Sequence, residues 1–130
     1  MTQEEKIEYW RKLSNKDLEV AEDLLPLKHY LYVVFMCHQA IEKIMKAYYV
    51  KQINDTPPFI HELIILASKG GFYDSFSEEQ KQFIRRLAPL NIRTRYPEYK
   101  GLIYKQLSQS VCKQILEQTK QLHQWITEKL

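Results

Sequence analysis

Apolar residues recur every three to four positions along most of the chain, and no stretch alternates with the period of two that a half-buried strand requires. Thr2-Gln3-Glu4-Glu5 has capping-box spacing, so a helix is expected to open at once. Ile7, Trp10, Leu13, Val20, Ala21 and Leu24 then repeat at helical intervals until Leu25-Pro26, where proline disfavours helical geometry at the residue before it. The next segment, about 28–51, is apolar around most of its girth. Tyr30, Val33, Val34, Cys37, Ile41, Ile44, Met45 and Tyr48 make one stripe that Leu31, Phe35 and Tyr49 widen. Such a helix belongs at the centre of a fold.

Asn54-Asp55-Thr56-Pro57-Pro58 breaks the pattern, because two prolines remove donors and fix the turn. A short helix is expected over about 59–69, packing through Leu63, Leu66 and Ala67 and ending at Gly70-Gly71. Ser77-Glu78-Glu79-Gln80 repeats the capping-box spacing and opens a helix through Phe83, Ile84 and Leu87. From Pro89 to Gly101 the periodicity lapses into a polar, basic, tyrosine-bearing stretch that reads as a loop or broken helix. Leu107, Val111, Ile115, Leu122 and Ile126 then mark a final helix over about 102–129. The pattern predicts an all-α, up-and-down bundle of four to five helices in a single domain over residues 1–130.

Composition narrows the reading further. Three glycines and five prolines are few for a protein of many strands and turns, and 45% hydrophobic with 27% charged residues is ordinary for a folded soluble chain. No apolar run approaches a membrane span, and Met1 to Trp10 has no signal-peptide pattern. Two cysteines, Cys37 and Cys112, cannot make a disulfide framework, which leaves a reduced, cytoplasmic protein as the expectation. The net charge of +3 is unevenly spread. Arg85 to Lys105 holds six basic residues against Glu98 alone, or +5, so the remainder carries −2. A basic segment on a slightly acidic body favours an anionic ligand.

Four groups could carry chemistry. His38, Glu42 and Lys46 follow at i, i+4 and i+8, projecting from one side of the central helix. They could form a proton-transfer or anion-binding row; equally, Glu42 could pair with Lys46 while His38 makes one hydrogen bond at the core edge. Asp17 sits among apolar positions of the first helix and needs a partner, Lys46 or an arginine. His61, after Pro57-Pro58, is either a ligand or a loop-bracing residue. The strongest constellation is Arg93-Thr94-Arg95-Tyr96-Pro97-Glu98-Tyr99-Lys100, where guanidinium groups match phosphate bidentately and tyrosines offer stacking faces. The alternative there is a plain solvated loop. No histidine pair has metal-ligand spacing, three glycines cannot build a phosphate loop, and no G-x-S-x-G elbow is present, so neither a metal nor a cofactor is expected.

Cys37-His38-Gln39-Ala40-Ile41-Glu42-Lys43, with Lys46-Ala47-Tyr48, resembles the central-helix signature of HEPN domains. Pro58 with His61-Glu62-Leu63 resembles that family's proline-then-His-x-Leu segment, and Thr94-Arg95-Tyr96-Pro97-Glu98 resembles its Arg-Tyr-Pro-acid motif before the last helix. The resemblance implies a helical bundle, usually homodimeric, often encoded beside a minimal nucleotidyltransferase, and a nucleotide- or RNA-binding role on Arg93, Arg95, Tyr96, His38, Glu42 and Lys46. Nothing in it indicates DNA. Excess apolar surface on the central and terminal helices also points to a homodimer. The family's ribonuclease branch uses Arg followed by four to six residues and then His; here no histidine follows Arg85, Arg86, Arg93 or Arg95 in that window. The expectation is therefore a non-catalytic binding module. The alternatives are a metal-independent ribonuclease using His38 with Arg93 or Arg95, and a purely structural dimerisation domain.

Overall fold

The computed structural model describes residues 1–130, except the side chains of Pro97, Tyr99 and Lys100. Helix α1 spans Gln3–Leu24 and begins on the expected capping box: the Thr2 hydroxyl accepts from the Glu5 amide while the Glu5 carboxylate accepts from the Thr2 amide. Helix α2, Tyr30–Ile53, is the central element, and Asn54 closes it in the left-handed conformation at φ 57°. Helix α3 covers Leu63–Lys69, a 3-10 turn follows at Tyr73–Ser75, and α4 covers Glu78–Leu87 on the second capping box. Helices α5 (Leu90–Arg93), α6 (Pro97–Gln106) and α7 (Gln109–Thr127) complete an all-α bundle with no strand among the described residues. Nor, among those residues, is any helix long and apolar enough to cross a membrane.

Two boundaries differ from the sequence expectation, and one open reading is resolved. The third helix starts at Leu63 rather than near residue 59, because the Glu62 side chain caps it by accepting from the Ile65 amide at 2.6 Å. The stretch from Pro89 to Gly101, expected as a loop or a broken helix, is the broken helix: it holds α5 and the first half of α6. Proline is as good a helix starter as a breaker, and Pro97 occupies the first position of α6, where its missing N–H costs nothing. The last helix is divided, since Leu107 is extended and the Ser108 hydroxyl caps a new helix by accepting from Val111.

The buried apolar residues form one cluster around α2. Val33, Val34, Cys37, Ile41, Ile44 and Met45 on α2 are sealed, with α1 and α7 as the main packing partners of that helix and α3 and α5 closing the remainder. Gly70 permits a close approach: a Cβ there would lie 2.4 Å from the Phe72 ring, which stacks on Tyr48 at 4.4 Å. Gly71, at φ 75°, supplies the left-handed residue that turns the chain out of α3.

Candidate anion-binding groove

Between α2, the segment 54–62 and α5 the bundle leaves a groove with two lobes. The inner lobe, about 380 Å³, is lined by residues that include Phe35, Gln39, Lys43, His61, Asn91 and Arg95. The outer lobe, about 600 Å³, adds Arg85, Ile92 and Tyr96. His61, Asn91 and Arg95 belong to both.

Arg95 is held in place by local structure. The short α5 turn is fixed by the buried Thr94 hydroxyl, which donates to the Leu90 carbonyl, and by Asn91, also buried. Arg95 Nε donates to the Asn91 carbonyl at 2.6 Å, while its guanidinium carbon lies 5.6 Å from the Phe35 ring centre and 5.9 Å from that of Tyr96. Among the described residues no carboxylate lies within ion-pair distance of Arg95. The other cations of the groove are occupied. Lys43 engages Asp17, and Arg85 bonds Glu78 at 2.9 Å. Asp17 therefore finds its partner in Lys43, not in Lys46 or an arginine: Lys43 lies across the α1–α2 interface within reach, whereas Lys46 is committed elsewhere.

That commitment is to Glu42, only 3% exposed. One oxygen of Glu42 lies 3.2 Å from Lys46 Nζ and 3.0 Å from His61 Nδ1. Lys46 is 4% exposed, and its ammonium rests 5.1 Å from the Trp10 ring and 6.0 Å from that of Phe59. Desolvation of a charged pair is costly, and the close Glu42–Lys46 contact and the aromatic faces offset it. His38 is fully buried, and neither of its ring nitrogens has a hydrogen-bond partner of normal geometry. Burial first, and the neighbouring His61 and Arg95 after it, push its pKa down to about 3 against an opposing contribution from the Ala88 backbone. His38 is thus neutral, and its 3.9 Å approach to the second Glu42 oxygen is not an ion pair.

The structure brings Arg95 and Tyr96 to the groove, but not Arg93, which is exposed at the end of α5 and lines neither lobe. His38, Glu42 and Lys46 are buried and line neither lobe; of the three, Glu42 contacts a groove residue, His61. Of the other groove-lining residues, Asn91 was not singled out by the sequence, Phe35 read only as part of the apolar stripe of α2, and Gln39 entered only as part of the central-helix signature. Among the described residues no three His, Cys, Asp or Glu side chains converge as a metal site would need.

Comparison with known proteins bears on this arrangement. The model of the HEPN domain matches residues 7–130. The fold is similar to the crystal structure of TT1696 from Thermus thermophilus, with a TM-score of 0.81 and 18% identity over 96% of this chain and 98% of that one. No curated protein matches the chain.

Proposed function

Because this chain belongs to the HEPN domain family, we propose that it is a non-catalytic module that binds a nucleotide or RNA through phosphate contacts at Arg95. The observation that carries this reading is the guanidinium of Arg95, fixed by Asn91, flanked by two aromatic rings and without a carboxylate partner among the described residues. A guanidinium offers phosphate a planar fork of donors, and Phe35 and Tyr96 offer faces on which a base can stack. Arg95→Ala is expected to weaken binding of ATP and a short RNA ten- to hundredfold, equivalent to about 1.5–3 kcal/mol. Titration at two salt concentrations tests it, since phosphate contacts weaken as salt rises. Equal affinity in the two proteins, or no binding to either, would remove the reading. RNA incubated with the protein should stay intact, because His38 is sealed and no histidine follows Arg93 or Arg95 at ribonuclease spacing.

The module acts as a homodimer and works with a nucleotidyltransferase partner. The dimer is supported by the exposure of Tyr32, Leu102 and Tyr104, large apolar side chains at the start of α2 and on α6. Light scattering that returns a monomer would remove this part. The partner rests on the family resemblance and would be tested by co-purification with the product of a neighbouring nucleotidyltransferase reading frame.

A further inference from the structure

The contact between Glu42 and His61 constrains more than the loop that carries the histidine. A carboxylate can only accept, so the ring nitrogen that faces it at 3.0 Å, Nδ1, must carry a hydrogen. In the neutral ring this leaves Nε2 with a lone pair. The His61 side chain is 52% exposed and lines both lobes beside Arg95. A lone pair turned toward a phosphate oxygen repels it, whereas an N–H donates to it. Only the imidazolium can hold Glu42 with one nitrogen and offer a donor to the groove with the other.

We propose that Glu42 is a positioning residue that fixes the tautomer of His61, so that the groove takes up a proton at His61 when it binds a phosphodiester and its affinity rises as pH falls. This rests on the reading of the groove as a phosphate site. Of the charged and polar groups around the groove, His61 is the one that is exposed and keeps a ring nitrogen unused. On α2, Lys43 and Lys46 are engaged by Asp17 and Glu42, and buried His38 stays neutral. Arg85 on α4 is engaged by Glu78, Glu62 caps α3, and Arg95 donates to the Asn91 carbonyl.

The test uses a short oligouridylate without terminal phosphates, because phosphodiesters do not titrate near neutrality. Calorimetric titration near neutral pH in two buffers of different ionisation heat reads the linked proton directly. Wild type should take up a fraction of a proton, and its affinity should fall by up to about tenfold per pH unit as pH rises. His61→Gln should bind more weakly, with no proton uptake and a flat pH profile. Glu42→Gln, verified as folded by circular dichroism, should lose the uptake, because an amide can face the ring with either its oxygen or its nitrogen. Nitrogen chemical shifts of the His61 ring in wild type should show hydrogen on Nδ1 in the neutral form. Binding that responds to Arg95→Ala but carries no proton, uptake that survives His61→Gln, or hydrogen on Nε2 would overturn the proposal and leave the phosphate reading standing. No binding at all would overturn both.

Discussion

Replacing Glu42 by alanine should cost the fold about 3–5 kcal/mol, the usual penalty for removing one member of a buried ion pair. The loss comes less from the missing contact than from what remains: the ammonium of Lys46 at 4% exposure, held between Trp10 and Phe59 with no carboxylate at 3.2 Å. Lys46→Met alone should also destabilise, because the Glu42 carboxylate then stays buried with His61 as its only close donor. The double variant Glu42→Leu with Lys46→Met removes both charges and should recover most of the loss, since a packed apolar pair is often as stable as a buried ionic one. Urea unfolding of wild type, Glu42→Leu, Lys46→Met and the double variant measures the coupling. Additive single effects, or a Glu42→Ala loss under about 1 kcal/mol, would mean that water reaches the pair and screens it.

Acid should destabilise this protein earlier than carboxylate titration alone would bring about. The His38 pKa is pushed down to about 3 in the fold, below the value of an unfolded histidine, so as pH falls the unfolded chain binds the proton first. His38's contribution is therefore complete above about pH 6.5 and is lost progressively toward about pH 3, at up to about 1.4 kcal/mol per pH unit. His123, also pushed down by burial, adds a loss of the same sign. The His38→Gln variant removes the first contribution and keeps the second. Between about pH 6.5 and pH 5 the wild type should lose about 2 kcal/mol more than the variant, a window in which most carboxylates remain ionised. Parallel stability curves for the two proteins over that window would show that His38 is protonated in the fold.

Helix-starting signals at Thr2 and Ser77 were legible because a capping box is complete within four residues and needs nothing from the rest of the fold. The central position of α2 was legible for a similar reason: a helix apolar around most of its girth can satisfy itself only by burial. The same property hid the role of His38 and Lys46. On an amphipathic helix the polar row marks the solvent side, but α2 has no such side, so spacing put His38, Glu42 and Lys46 on one face without telling whether that face met water or the segment 54–62.

Local rules thus settled the long helices and the bundle, and offered the pairing of Glu42 with Lys46 as one of two readings, because each rests on residues within a few turns of one another. Tertiary structure decided α5 and α6, whose helical form depends on burying Leu90 and Ile103 against the body. It also decided the two contacts that shape the groove, Asp17 with Lys43 across 26 residues and Glu42 with His61 across 19. Periodicity is a property of one helix, whereas these pairs depend on how far the chain travels between helices and at what angle they meet. That is why His61 reads in sequence as either a brace or a ligand, and why its place beside Arg95 emerges only when the segment 54–62 closes over α2.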